Sequence, residues 1–146
     1  MKKTTLIAAT LLSAFATSAF AAPTTYTIDA SHTFASFEYI HLGFSKQRSR
    51  FNDTTGSITL DQKAKTGSAD ITIKVDSVDT GSKTFDGHLT SDGWFDAAKY
   101  PTISFKSTGF KFKGDKPTEV MGNLTVRDIT QPVTLKITHF QCAMHP

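Results

Sequence analysis

Histidine and cysteine are the residues of this chain whose chemistry could include metal binding or catalysis. The five histidines are His32, His41, His88, His139 and His145, and the single thiol is Cys142. Metal sites favour His with carboxylate or thiolate partners, and only Cys142-Ala143-Met144-His145 approaches that pattern. No Gly-rich phosphate loop, G-x-S-x-G elbow or H-E-x-x-H helix occurs. The sequence therefore predicts no enzyme, no catalytic residue, no bound metal and no cofactor.

Two of the histidines have alternative interpretations. His41 lies on the apolar face of a predicted strand, where it either packs as a hydrogen-bonded core residue or presents its polar tip to a ligand head group. Asp86 and His88 are two residues apart, a spacing that a helix would not bring together. Asp86 is expected to cap a turn, and His88 to fix a crossing segment to a strand. The alternative function is a metal-binding or catalytic stress protein of the periplasm that uses His41, His88 and Cys142.

The elements that would position a binding or catalytic site in this chain are strands in which apolar and polar residues alternate. The clearest strand is predicted for residues 68–75, with apolar side chains at every second position. Similar alternation marks residues 33–42, 119–126 and 133–139. A crossing segment within residues 75–106 carries aromatic side chains that we expect to cover one end of the β-layer. Six or seven such strands predict an all-β fold, an antiparallel barrel with a short helical crossing segment.

Several details of the chain path are also predicted. Residues 43–50 are expected to form a polar, solvated connection. The following strand, residues 51–60, is expected to contain a bulge near Gly56 because its apolar residues change face. A second bulge is expected at Gly109, and a single helical turn at residues 96–99.

The composition fits one exported domain. The 146 residues are 38% hydrophobic and 20% charged, which is enough for a single core. A basic start, an apolar run and Ala19-Phe20-Ala21 predict a signal peptide over residues 1–21, so the mature domain comprises residues 22–146. Loss of Lys2 and Lys3 lowers the formal charge from +3 to +1. The remaining basic residues do not form the clustered stripe that nucleic-acid binding needs. We expect no nucleic-acid partner and no stable membrane insertion.

Several motifs, in this order, resemble the YceI-like family throughout the mature chain. They are T-I-D-A-S-H-T-F-A-S-F, H-L-G-F-S, S-V-D-T-G, D-G-H-L, S-D-G-W-F-D-A-A-K-Y-P-T-I-S-F-K-S-T and G-N-L-T-V-R-D-I-T-Q-P-V-T-L-K. His32, residues 41–44 and residues 86–89 stand at motif positions. Three residues depart from the family pattern: Phe85 replaces the usual Arg, Ser49 a common Gly, and Asp128 the usual Gly of a turn.

The resemblance implies a fold and a function. Family members are exported by bacteria and fold as lipocalin-like antiparallel barrels whose apolar pore holds a polyisoprenoid chain, such as a quinone or polyprenyl tail. This chain is therefore expected to be a periplasmic or secreted lipid binder with a role in carriage, storage or stress protection. The residues expected to contact the lipid are Phe37, Tyr39, His41, Phe44, Ile71, Ile73, Val75, Leu89, Trp94, Phe95, Ile103, Phe105, Leu124, Val126, Leu135 and Ile137.

The C-terminal end is expected to differ from the family. Relatives usually continue for several dozen residues beyond the Phe140-Gln141-Cys142 position, so the barrel is expected to lack its last strands. Strand edges without a partner recruit other chains. One predicted outcome is a homodimer locked by a disulfide between two copies of Cys142.

Overall fold

The structure, a computed structural model, describes residues 22–143. The predicted signal peptide, residues 1–21, and the last three residues lie outside the described residues. The division of the chain at residue 22 therefore stays a prediction.

Nine strands and one α-helix follow one another within residues 22–143. The strands are β1 (Thr24–Thr27), β2 (Ala35–His41), β3 (Ser45–Phe51), β4 (Thr54–Asp61), β5 (Thr66–Lys74), β6 (Val78–Asp79), β7 (Thr102–Lys113), β8 (Lys116–Val126) and β9 (Ile129–Lys136). A 3-10 turn, Val75–Ser77, precedes β6, and the helix α1 comprises Lys83–Thr90. Over the same residues no helix has the length and apolar character needed to span a bilayer.

The strands form two antiparallel sheets. Hydrogen bonds join six strands in the order β1-β4-β5-β7-β8-β9 and three in the order β2-β3-β6. The large sheet is built mainly from hairpins, since β4–β5, β7–β8 and β8–β9 pair directly. The predicted all-β, antiparallel class with a helical crossing segment is confirmed, because α1 lies in the connection from β6 to β7.

The main core lies where α1 and the β2–β3 hairpin meet the large sheet. Its buried members are Phe51, Ile73, Val75, Val78, Leu89 and Ile103. They come from both sheets, the 3-10 turn and α1, so this core joins every layer of the fold. Burying such apolar side chains is the main favourable contribution to folding.

The predicted loop at residues 43–50 is wrong, because β3 begins at Ser45. This strand pairs with β2 over its full length. Only Ser49 and Phe51 are buried, while the other five side chains of β3 are exposed. A strand with so few apolar side chains lacks the alternation by which strands are predicted, and its pairing partner determines its structure.

The predicted bulge near Gly56 is also wrong. The β4–β5 pairing continues without a register shift from Thr54 to Asp61. Phe51 ends β3, so the change of face that suggested a bulge falls between two strands. Gly56 is needed for a different reason: its φ is +136°, and a Cβ there would lie 2.1 Å from the carbonyl oxygen of Asp70.

Two local features of β7 and β8 agree with the sequence. The bulge predicted at Gly109 is confirmed by a register shift between Ser107 and Gly109. The β8–β9 hairpin turns at Arg127 and Asp128, whose φ values are 49° and 61°. Two positive φ values suit a two-residue hairpin turn. Asp128 therefore adopts the left-handed conformation for which the family pattern has Gly.

The crossing segment contains a helix that the sequence does not predict, besides the single turn that it does. The backbone N–H groups of Lys99 and Tyr100 donate to the carbonyl oxygen of Asp96 at 3.1 and 2.8 Å, which gives the expected turn at residues 96–99, and Lys83–Thr90 form α1. Gly87 and two threonines give this stretch a low helix propensity. The Ser82 hydroxyl accepts a hydrogen bond from the backbone N–H of Phe85 at 3.4 Å, and Leu89 enters the core. Capping and burial stabilise α1, which its propensity does not predict.

Candidate functional site

An apolar cavity of about 300 Å³ lies against the large sheet and is partly open to solvent. Side chains of β4, β5, β7, β8 and β9 line it, together with two residues beyond β9. They are Ile58, Leu60, Ala69, Ile71, Phe105, Phe110, Pro117, Val120, Leu135, Ile137 and Phe140. All of these side chains are apolar, so the cavity suits a hydrocarbon and offers no side-chain hydrogen bond to a polar group.

Strand alternation and one glycine shape this cavity. Ala69 and Ile71 share one face of β5, and Ile71 pairs with Phe105 so that the face continues onto β7. A Cβ at Gly122 of β8 would lie 2.4 Å from Cζ of Phe105. The missing side chain at Gly122 therefore gives the Phe105 ring its place in the cavity wall.

The segment after β9 forms another part of the wall. The backbone N–H of Ile137 donates to the carbonyl oxygen of Thr118 at 2.9 Å, and Phe140 lines the cavity. Farther on, Cys142 Sγ lies 3.3 Å from the Tyr26 hydroxyl of β1, a hydrogen bond that raises the pKa of Tyr26. The segment thus links β9 to β1, the two edge strands of the large sheet.

A second apolar region lies next to the cavity but is filled. Four residues expected to contact the lipid, Ile73, Val75, Leu89 and Ile103, are buried in the main core. Partly buried side chains pack against them: Phe37, Phe95, Leu124 and Val126. Leu124 also packs against Phe105 and its buried neighbours, so this side chain joins the main core to the cavity wall.

Aromatic rings continue from β2 across the crossing segment. The ring centres are 6.2 Å apart for Phe37 and Tyr39, and 5.8 Å apart for Tyr39 and Phe85. His88 lies 6.0 Å from Phe85 and 5.3 Å from Trp94. His88 therefore stacks within the crossing segment, and Phe85 packs against Tyr39 of β2.

His41 is exposed at the end of β2, so the interpretation of it as a core histidine is wrong. Together with Tyr39, Gln47 and Phe85 it lines a groove of about 320 Å³ that also includes two hydroxyl side chains. This groove is polar in part and separate from the apolar cavity. The structure thus places Tyr39 and His41 beside polar groups rather than in the cavity wall.

A larger groove, about 620 Å³, lies beside β2, β3 and β6 and is charged. Glu38, Arg48, Arg50 and Asp79 contribute to its wall. Lys46 and Arg48 pair with Glu38 and hold the pKa of its carboxyl below the usual range. Covering these groups with hydrocarbon would desolvate them, so the larger volume is the poorer site for an apolar ligand.

The residues expected to contact the lipid therefore fall into several places. Ile71, Phe105, Leu135 and Ile137 line the cavity. Phe44 is 91% exposed and Trp94 50% exposed, away from any apolar enclosure in residues 22–143.

Seven further cavity residues were not predicted as contacts: Ile58, Leu60, Ala69, Phe110, Pro117, Val120 and Phe140. The alternation along β4, β5 and β8 could have identified Ile58, Ala69 and Val120. Nothing in the local pattern at Phe140 signals its role, because it follows the last strand.

The motif residues of the family pattern mainly hold the chain in place. Asp29 accepts hydrogen bonds from the Ser31 backbone N–H and hydroxyl, and it lies 2.7 Å from His32 Nδ1. Asp86 Oδ1 accepts from the backbone N–H and the hydroxyl of Thr80, each at 2.8 Å. Asp86 thus ties α1 to the end of β6.

The residues of the alternative function are not grouped. His41 belongs to β2, His88 to α1, and Cys142 follows β9. Among residues 22–143, no three His, Cys, Asp or Glu side chains lie together so that they could hold a metal ion. Met144 and His145 lie outside the described residues.

Known proteins resemble this chain in sequence and fold. The family model for the YceI-like domain matches residues 26–145. A UPF0312 protein of Pseudomonas aeruginosa is 43% identical over 141 residues, which cover 93% of this chain and 72% of the relative. The YCEI protein of Campylobacter jejuni shares the fold with a TM-score of 0.60 and 31% identity, over 78% of this chain and 68% of that one. Against a mutant of the same protein, the chain spans 64% of the solved length.

A third likeness concerns the fold alone. A polyisoprenoid binding domain from Saccharophagus degradans, implicated in plant cell wall breakdown, superimposes with a TM-score of 0.54 and 20% identity. The match covers 74% of this chain and 63% of that domain. The expectation of a YceI-like barrel fold is confirmed by these relatives together. The family model and the Pseudomonas relative show that this chain belongs to the YceI-like family.

Proposed function

We propose that this protein binds a polyisoprenoid lipid and holds its hydrocarbon chain in the apolar cavity. The observation that carries the proposal is the composition of the wall, in which all eleven side chains are apolar. A cavity of about 300 Å³ lies at the lower end of the usual range for ligand sites, about 300–1,000 Å³. The polyisoprenoid binding domain of Saccharophagus degradans, which shares the fold, supports an isoprenoid as the ligand.

Burial of hydrocarbon accounts for the affinity without any catalytic residue. Removing one CH2-sized group from water is favourable by about 0.8 kcal/mol, so a five-carbon unit contributes about 4 kcal/mol before other costs. Immobilising the chain and the protein side chains lowers this figure. A few units held in a preformed cavity are therefore enough for stable binding.

The cavity selects the tail and leaves the head group outside. No hydroxyl, amide or charged side chain lines it, and burying a polar head without a hydrogen bond would cost several kcal/mol. Quinone and polyprenyl lipids with the same tail should therefore bind similarly. The wider proposal is an exported carrier, store or protector of such lipids.

Mass spectrometry of an organic extract tests the proposal. Protein purified from bacteria is expected to release a polyprenyl or quinone species in near-stoichiometric amount. Leu135→Asp places a carboxylate on the cavity wall at a side chain that is 49% exposed, so the fold should survive while the recovered lipid falls several-fold. Thr134→Asp on the exposed opposite face of β9 is the matched control and should retain the lipid.

Three results would contradict the proposal. They are an empty wild-type protein, one filled only with linear fatty acids, and equal lipid recovery from Leu135→Asp and Thr134→Asp. The first two would reject the isoprenoid as ligand, and the third would reject the cavity as its site.

A further inference from the structure

The turn of the β2–β3 hairpin exposes three large apolar side chains. Ile40 is 60% exposed, Leu42 77% and Phe44 91%, and we call these three residues the hairpin tip. Within residues 22–143 no other large hydrophobic side chain is as exposed as Phe44. Grouped apolar side chains on a surface mark an interaction site, because each would otherwise be favoured inside the protein.

The backbone at the tip holds Leu42 outward at an energetic cost. The φ values of Leu42 and Gly43 are 50° and 80°, and a left-handed conformation is unfavourable for a bulky residue. A hydrogen bond from the backbone N–H of Phe44 to the carbonyl oxygen of His41, at 2.9 Å, closes this turn. Residues with such backbone strain cluster at the functional sites of proteins.

Cations lie behind the tip on β3. Lys46, Arg48 and Arg50 alternate with the inward residues, and Glu38 is the only acidic residue in the hairpin sequence, 35–51, which gives it a net charge of +2. At about 3.3 Å per residue, Lys46 lies about 7 Å and Arg48 about 13 Å behind Phe44 along the strand, and both pair with Glu38 in the free protein. Apolar side chains in front of cations match the two layers of an anionic bilayer surface, acyl chains and phosphates.

We propose that the hairpin tip docks on the surface of an anionic lipid bilayer. Leu42 and Phe44 enter the outer part of the acyl layer, and Lys46, with Arg48 behind it, meets the lipid phosphates. Docking is peripheral and needs no spanning segment. The choice of a bilayer rests in part on the proposed function, because an isoprenoid lipid resides in a membrane and its binder must reach it there.

Vesicle flotation without added isoprenoid tests docking. The purified protein is expected to float with phosphatidylcholine vesicles that contain phosphatidylglycerol, and to do so less as salt concentration rises. Phe44→Ser should weaken the partition into these vesicles about tenfold or more, since the buried ring is lost. Arg48→Gln should weaken it about fivefold, and only when phosphatidylglycerol is present.

Ile129→Ser is the matched control, because Ile129 is a 64% exposed apolar residue next to the β8–β9 turn. It should float like the wild type, and thermal melts should show that all variants keep the fold. Docking is contradicted if the wild type does not float, if Phe44→Ser floats like the wild type, or if Ile129→Ser is equally impaired. Tip-dependent dimers in size-exclusion chromatography, without flotation, would also reject it in favour of a second copy of the chain. A wild-type protein that does not float but yields isoprenoid in the extract rejects docking and leaves the cavity proposal intact.

Discussion

At the scale of single residues, Asp29 shows how a motif carboxylate serves the fold. The Ser31 hydroxyl, at 2.6 Å, and next His32 Nδ1, at 2.7 Å, are the main causes that lower the pKa of Asp29 to about 2. The carboxylate form is thus favoured in the folded state. Its stabilising effect is complete above the ordinary value of 3.8 and is lost as pH falls toward about 2.

The first prediction follows from this turn. Ser31→Ala removes the strongest hydrogen bond to Asp29 and should move the pKa of Asp29 up toward 3.8. An NMR titration of the Asp29 side chain in the wild type and in Ser31→Ala measures the change. An unchanged Asp29 pKa in Ser31→Ala would show that this hydroxyl does not set it.

Asp86 carries a second prediction at this scale. Asp86→Ala should lower the free energy of unfolding by about 1–3 kcal/mol, because the Thr80 backbone N–H and hydroxyl lose their partner in a partly buried place. Lys83→Ala is the control, since the Lys83 side chain is 96% exposed and its ammonium lies 3.6 Å from Asp86. It should change the stability by less than about 1 kcal/mol. Denaturant melts compare the two, and equal effects would contradict the assigned role of Asp86.

At the scale of secondary structure, the pairing of β7 with β8 fixes the cavity wall. Ser107 pairs with Gly122, and the bulge before Gly109 shifts the register of the residues that follow. The Phe105 ring occupies the space that a side chain at position 122 would need. The shape of the cavity therefore depends on a glycine that is not among its lining residues.

The third prediction tests this dependence. Gly122→Ala should destabilise the protein by about 1–3 kcal/mol, the usual cost of overpacking, and should displace Phe105 into the cavity and weaken lipid binding. Gly109→Ala is the control, because its Cβ would meet only the flexible end of Met121 at 3.1 Å. Melts and lipid extraction of both variants provide the measurement. Retained stability and lipid in Gly122→Ala would show that the wall adjusts freely.

At the scale of the whole molecule, the sequence predicts what depends on alternation and motifs. It identifies the antiparallel class and four cavity residues from the alternation of apolar and polar positions, and the bulge at Gly109 from a break in that alternation. It misses β3, whose exposed polar side chains hide a paired strand, and it misses α1, because capping and burial, not propensity, form this helix. Ile71 and Ile73 look alike in the sequence, yet Ile71 lines the cavity and Ile73 is buried in the main core. Which place an apolar side chain takes depends on its packing against residues that are distant in the sequence.

The homodimer expected from unpaired edges stays a prediction. In the described residues β1 and β9 are the edge strands of the large sheet. The thiol of Cys142 is exposed there and contacts Tyr26 of the same chain. The Cys142 sulfur atom therefore either contacts Tyr26 of its own chain or forms a disulfide with Cys142 of a second copy.

The central claim is that the cavity binds an isoprenoid by burying its hydrocarbon chain, so that the affinity depends on the length of that chain. Calorimetric titration of the delipidated protein with prenyl alcohols of increasing length tests it most directly. The affinity should rise with each five-carbon unit, by no more than the gross 4 kcal/mol or so per unit, and level off once the cavity is full. Affinity that is independent of chain length, or that is unchanged in Leu135→Asp, would contradict the account.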